Sequence, residues 1–492
     1  MREYSPKRRT ALVLAGSGSS GAYHAGVLKA LDESGVKLDL VVGSGAGAVA
    51  AAFAAIAGGA KLYGPDGFWS EAGWDSFYRL RTPARVALLL LGAAFGVFML
   101  PLALAVIAGM LFPLVLVADL VSPGLPARLV GDAWSVPAAL RTPYLAALAV
   151  PVFSLCALAI LYLARLYVGD RRRFAEGFES LLDARPARER LSRSLWEVVR
   201  GAATSPAPPP PELSRRYVAL LAENLGQPGF RELILRAADL EAGAALPFVV
   251  LQDAARASFA GRKRGPRSRV EGMTDAVDLR SSGYDALLFD AVLTGLLPPL
   301  VAPVRRIAFP RGGLYAGETR RITDGTLAAG CGIAEALAAG AEQVIVASAV
   351  PEAPALPPRR RGARPLADAV LASLERQSLD ADLRVAERTN RMIETLGHRT
   401  EAGGHAWEDP ATGRVFREVA LYVVRPDRRA LGPLELDGAQ DPSTEVRETP
   451  ADLLEQGYRD AFRLFVEPVV GAVPEPRREE ALEGVLRAPV EL

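Results

Sequence analysis

The stretch "VVGSGAGAVAA", residues 41–51, decides how this chain folds. Leu38 to Val42 form an apolar strand, Gly43 to Gly47 a glycine-rich turn, and a small-residue helix begins at Ala46. A strand that turns this sharply into a helix is the frame of a nucleophile elbow, where one side chain stands exposed at the apex of a strained turn. The apex here is Gly45, which has no side chain to present. The turn therefore predicts an α/β fold but lacks the nucleophile that such a turn normally carries.

Upstream, "TALVLAGSGSSGAYHAGVLKAL" (residues 10–31) reads as strand, glycine turn and amphipathic helix, with Val27, Leu28 and Leu31 on one face. Gly16, Gly18 and Gly21 spell G-x-G-x-x-G, so a dinucleotide site has to be weighed. That site needs an acid at the end of the next strand to hold a ribose. Asp39 precedes Val41 and Val42 instead of following them, and no Gly-Lys-Ser/Thr run forms a P-loop. What the glycine turn does offer is backbone N–H groups at a helix N-terminus, which suit an oxyanion. Downstream, "ITDGTLAAG" (322–330) adds an acidic turn.

In that order and spacing the three elements resemble the patatin-like phospholipases. Their pattern is a glycine-rich oxyanion loop, a G-x-S-x-G elbow and a D-G-[GA] turn carrying the dyad aspartate. The likeness continues through "GAYHAGVLKALDESGVKLDLVVG", "LPFVVLQD" at 246–253 and "AEALAAGAEQVIVASAVPE", and covers residues 10–60 and 240–350. It implies a three-layer α/β sandwich with a mostly parallel central sheet, and a serine–aspartate dyad that hydrolyses lipid acyl esters without histidine, metal or cofactor. Residue by residue, Asp324 matches the dyad aspartate, followed by Gly325 and by Thr326 where a small residue is usual. Gly16, Ser17, Gly18 and Ser19 match the oxyanion hole, and Gly45 takes the nucleophile position. Read by itself, Asp324 also fits a turn or N-cap aspartate. His24, His398 and His405 have no evident partner, and His24, in the glycine-loop helix, reads as structural.

The chain departs from the family at Gly45, at Ser17 (usually glycine) and at Ser20, where Arg or Lys normally precedes Gly21. Three explanations compete. Natural loss of the chemistry, leaving a pseudoenzyme, is favoured because separated catalytic positions have changed together. An engineered Gly45 would leave Ser20 unexplained. Ser44 as a displaced nucleophile meets a geometric objection, because an elbow exposes one side chain and its neighbour points elsewhere. Removing a serine nucleophile costs a factor of ~10⁶ in rate in a well-studied protease. Glycine, in turn, relieves the ~1–3 kcal/mol of strain a side chain suffers at the apex. The expectation is a catalytically impaired acyl hydrolase homologue that binds an acyl chain or presents a surface to a partner. The alternatives are an active phospholipase or lysophospholipase using Ser44 with Asp324, and a structural membrane assembly module.

Charge is balanced over the 492 residues, with 57 basic and 56 acidic, so nothing points to nucleic acid. Arginine far outnumbers lysine beside abundant Ala, Gly and Pro, as in GC-rich bacterial coding. Cys156 and Cys331 read as packing residues. The N-terminus has no signal-peptide apolar region, which predicts a cytoplasmic first domain. Two apolar runs, Val86–Val117 and Tyr144–Ala164, exceed the ~18 residues that suggest a membrane span. Pro101 and Pro113 in the first run predict a kinked or strongly tilted helix. Arg79, Arg81 and Arg85 before the pair, and Arg165, Arg171, Arg172 and Arg173 after it, place both ends in the cytoplasm. A two-helix hairpin in the bacterial inner membrane fits, with the main domain cytoplasmic and the lipid bilayer as partner.

The expected organisation is a first patatin-like part at 10–80, a transmembrane hairpin at 84–168, amphipathic helices and a proline-rich linker at 169–240, a second patatin-like part at 241–472 and a charged tail at 473–492. Phe174, Phe178, Leu181 and Leu182 oppose arginines on a helix suited either to the inner leaflet or to the domain surface. The basic loop "RKRGPRSR" (262–269) is a solvated run or an anionic-lipid contact. Residues 365–398 read as a helix with Val370, Leu371, Leu374, Leu379 and Leu383 on its core face, and "VALYVVRPDRRALG" (419–432) as a late strand and turn.

Overall fold

The central strands are mostly small and apolar, as a parallel sheet covered on both faces requires. In the computed structural model, β1 (Thr10–Gly16), β2 (Leu40–Gly45), β5 (Glu232–Asp239) and β10 (Gln343–Ser348) are buried along their whole length. The structure describes residues 4–70, 73–121, 149–150, 152–158, 182–260, 276–299, 302–312, 315–352, 363–399, 405–410, 415–427, 431–440 and 447–466, with side chains only in part over 101–121.

Between and after these strands come α1 (Ser20–Glu33), α2 (Ala46–Ala54), the single turns α3 (Ala60–Tyr63) and α4 (Trp74–Phe77), β3 (Arg79–Leu80), α5 (Thr82–Val121), β4 (Leu182–Asp183), α6 (Arg185–Val199) and α7 (Pro210–Asn224). The second half adds β6 (Ala244–Val250), α8 (Asp253–Ala260), β7 (Val277–Asp278), α9 (Leu288–Thr294), β8 (Arg305–Ala308), β9 (Thr319–Asp324) and α10 (Ile333–Ala338). After β10 come α11 (Ala363–Leu396), the small sheet β11 (His398–Arg399), β12 (His405–Glu408) and β13 (Val415–Arg417), then β14 (Ala420–Val424), the pair β15 (Ala439–Gln440) and β16 (Arg447–Glu448), and α12 (Pro450–Phe465).

The main sheet runs β14-β10-β1-β2-β5-β6-β7, parallel from β14 to β5, with β6 antiparallel to β5 and β8–β9 joined through β9 to β5. Ala11, Val13 and Ala15 of β1 pack in one core with Ile333 of α10 and Leu379 and Leu383 of α11. Strand side chains alternate, so Leu12 and Leu14 face the opposite side, where α2 is so close that a Cβ on Gly47 would collide with the Leu14 carbonyl. The expected mostly parallel α/β fold, with helices on both faces, is the one observed.

Two compact units divide the chain, Met1–Arg79 with Ala184–Leu492, and Leu80–Asp183. In the smaller unit the first apolar run is one continuous helix, α5. Leu88, Leu89, Leu91, Phe95 and Phe98 along it are exposed. The transmembrane hairpin expected there is not supported: among the described residues no helix is long and apolar enough to cross a membrane. Most of the returning run and its flanking arginines lie outside the described residues, as do Phe174, Phe178, Leu181, the loop 262–269 and the tail 473–492.

Two packing expectations need correction. Cys156 is exposed, whereas Cys331 is buried as expected. On α11, Leu371, Leu379 and Leu383 are buried but Val370 and Leu374 are exposed. The reason is that acidic residues share the inward face of this helix, which apolar spacing does not reveal.

Candidate functional site

One strand brings the elbow and the acidic turn together. β6 lines one edge of β5 from Leu233 to Asp239, so β2 and β9 must share the other edge end to end. Ser44 pairs with Arg236 and Asp324 with the next residue, Ala237. The C-terminal ends of β2 and β9 thus meet head-on, although 280 positions separate Ser44 from Asp324 in sequence. Arg236 fixes the junction. Its Nε donates to Glu335 at 2.6 Å, and its Nη atoms donate to the carbonyls of Gly330 (2.7 Å) and Ala329 (2.8 Å), tying down the loop after Asp324.

The elbow keeps its backbone shape. Gly45 sits at φ 63°, ψ −137°, immediately before α2, in a region that strains any residue with a side chain. A Cβ built there would lie 2.9 Å from Asp324 Oδ1, so the apex points at the aspartate. The same Cβ would collide with the Gly16 carbonyl oxygen and approach Thr326 Cγ2 to 2.9 Å. The apex therefore aims where a nucleophile would stand, yet neighbouring backbone already fills that space.

Asp324 is fully buried. Burial pushes its carboxyl up to about 7, and the nearby Glu375 charge adds to the rise, while hydrogen bonds from Ser17 and Thr326 oppose it. Oδ1 accepts from Thr326 N and Thr326 Oγ1, both at 2.8 Å, and Oδ2 accepts from Ser17 Oγ at 2.7 Å. Such an acidity suits a general base at neutral pH. The hydroxyl it holds belongs to Ser17, which is itself fully buried and also lies 2.9 Å from Thr326 Oγ1. Ser17, one of the departures from the family pattern, thus supplies a hydroxyl to the aspartate from the glycine loop, not from the elbow.

The glycine loop is equally engaged. Ser17 N donates to Glu375 Oε1 at 2.7 Å, and Ser19 N donates to the Pro433 carbonyl at 2.9 Å. Gly18 adopts φ 55° directly against that same carbonyl, and Gly16 pairs with Gly45 across β1 and β2. Ser44 Oγ is buried without a hydrogen-bond partner, so the structure does not pair it with Asp324. It lies beside Gly325 and lines a small cavity with Thr326, Cys331, Ser348, Glu375 and Ser378, with room for about one water.

Three acids on α11, seven residues apart, reach backbone N–H groups of three loops. Asp368 accepts from Leu434 N at 2.6 Å, Glu375 from Ser17 N, and Asp382 from Cys331 N at 2.7 Å. The turn that Asp368 holds also accepts from Ser19, through Ser19 Oγ to the Gly432 carbonyl at 2.7 Å. Sequence reading missed Glu375 and Arg236. The heptad spacing of Asp368, Glu375 and Asp382 was a usable signal, as was a lone arginine in the apolar strand "ELILRAAD". His24 contacts the Ala15 carbonyl at 3.2 Å, and burial lowers it to about 4, so it is a neutral core residue at pH 7. His405 does have a partner, Glu418 Oε2 at 3.1 Å, in the small sheet.

Comparison with known proteins comes from two directions. A family model described as patatin-like phospholipase matches residues 12–337. Among solved structures, VipD from Legionella pneumophila is similar at 12% identity and a TM-score of 0.29, covering 94% of this chain and 67% of its own. No curated protein matches the chain.

Proposed function

Because the chain belongs to the patatin-like phospholipase family, we propose that it is a lipid acyl hydrolase homologue that holds an acyl lipid without turning it over. The observation that carries this reading is the apex: Gly45 points at Asp324 but presents no atom that can attack a carbonyl. Three contacts support it. The aspartate's Oδ2 is taken by Ser17, the Ser17 N–H is taken by Glu375, and the Ser19 N–H is taken by Pro433. A site lacking its nucleophile retains little more than binding and oxyanion stabilisation, and here the oxyanion donors are themselves engaged.

Association with the cytoplasmic face of a bacterial inner membrane belongs to the same proposal. The exposed leucines and phenylalanines of α5 are its support, because a contiguous apolar surface of this kind seeks lipid or another apolar surface. The experiment is lipid extraction and mass spectrometry of the full-length protein purified from membranes. A stoichiometric acyl lipid that survives washing is the expected result. A protein that fractionates away from membranes and carries no lipid contradicts the proposal.

A further inference from the structure

Side chains alternate along β2. Val42 packs in one core with Ile333 of α10 and with Leu379 and Leu383 of α11, so Ser44, two residues on, looks toward the same helices. The apex at Gly45 aims the other way, at Asp324. Ser44 is 1% exposed, and its Oγ has no hydrogen-bond partner among the described residues. Ser378 of α11 lines the same small cavity, and its Oγ is likewise buried without a partner among them. A hydroxyl inside a helix commonly donates to the carbonyl four residues back. On α11 itself Thr389 does so to Val385 at 2.9 Å, and Thr395 to Arg391 at 2.8 Å. Ser378 makes no such bond, so its hydroxyl is available to the cavity.

We propose that this cavity is a binding site for one neutral water molecule, which hydrogen-bonds to both Ser44 Oγ and Ser378 Oγ and so bridges the elbow strand to α11. The cavity has room for about one water, and a buried water takes roughly two to four polar partners. The two serines supply two, and Thr326, Ser348 and Glu375 complete a polar wall. Left dry, both hydroxyls would bear the desolvation penalty of unpaired buried groups. A cation of the same size is opposed by charge. The Glu375 carboxylate in the wall is offset by Arg236, which donates at 2.7 Å to the carbonyl of Gly330, another wall residue. Ser44 is thereby a water ligand on the face of β2 opposite the apex. This inference is independent of whether the protein holds lipid.

A direct bond between the two serines after a rotamer change, closing the cavity without solvent, is the competing explanation. The test is a crystal structure of the full-length protein at a resolution that shows ordered water, beside Ser44→Ala, Ser378→Ala and the double variant. The expected result is one solvent peak in the parent at about 2.5–3.0 Å from both Oγ atoms, lost in the double variant. Chemical denaturation supplies the second readout. Because one molecule serves both hydroxyls, the effects of the two replacements should not multiply. The change in unfolding constant in the double variant should fall short of the product of the singles by at least about threefold.

A peak bonded to only one serine, a direct serine–serine bond or an empty cavity in the parent overturns the inference, as do independent effects in denaturation. So does an ion, seen as a peak that weakens when sodium chloride is replaced by choline chloride. Neither readout requires retained lipid. Failure here leaves the proposed function untouched, and a lipid-free protein with the bridging peak leaves this site standing.

Discussion

The elbow and α11 meet at one site but contribute to it in different ways. The elbow, inside the family-matched region, retains its strained backbone at Gly45 and its aim at Asp324, and has no side chain at the apex. Helix α11, outside that region, brings in Glu375 and Asp382, which lock the two loops flanking the elbow. The comparison teaches that the shape of a catalytic site resides in its backbone and its chemistry in a few side chains, and that the two can part. Around the apex, neighbouring groups occupy the hydrogen-bonding positions, because buried polar atoms left unpaired are costly.

The largest effect should come from breaking the junction that both regions share. Arg236→Ala leaves Glu335 buried without its partner and frees the loop after Asp324, and should cost about 3–5 kcal/mol in chemical denaturation. A cost below about 1 kcal/mol would mean that the buried ion pair does not hold the elbow and acidic turn together. Next, Gly45→Ser tests whether the apex is empty or occupied. Positive φ and collision with the Gly16 carbonyl predict a loss of about 2–4 kcal/mol. An unchanged unfolding midpoint would show that the space remains open to a nucleophile.

Asp324→Asn sharpens the electrostatic side. The folded-state carboxyl, at about 7, lies well above the ordinary carboxylate range, so the folded protein binds the proton more tightly than the unfolded chain. Asp324 is then tolerated best below about pH 4, and its contribution to stability falls as pH rises from 4 through 7. The asparagine variant, free of this titration, should gain on the parent by about 1–3 kcal/mol between pH 4 and pH 8. A gap that shrinks over that interval reverses the sign and refutes the buried-acid picture. The smallest effect belongs to the outer face of α11. Leu374→Ser, at an exposed position, should shift stability by less than about 0.5 kcal/mol, whereas Leu379→Ala on the inner face should cost about 2–5 kcal/mol. Equal costs would mean that the two faces are not distinguished as described.

Much of this site was legible because its signals are local. The glycine loop, the elbow and the acidic turn each occupy a few consecutive residues whose types dictate their backbone. Their meeting was not legible, because it depends on register: Ser44 opposite Arg236 and Asp324 opposite Ala237 follow from how three strands share the edges of β5. Glu375 was invisible for a different reason. A glutamate on an amphipathic helix looks like part of a solvated face, and only the packed structure shows it accepting a loop N–H. The same substitution of acids for apolar residues misassigned Val370 and Leu374 to the core. For α5 the apolar run was plain and the helix followed, but apolar content alone does not specify what covers it.

Hydrolysis of a short-chain ester and of a phospholipid by the full-length protein, beside Ser44→Ala, Ser17→Ala and Asp324→Ala, is the most direct test of a site without a nucleophile. The expected result is turnover at the level of buffer for all four proteins. Turnover by the parent that Ser44→Ala or Ser17→Ala abolishes would contradict it, and would identify the serine that has taken over the chemistry Gly45 cannot perform.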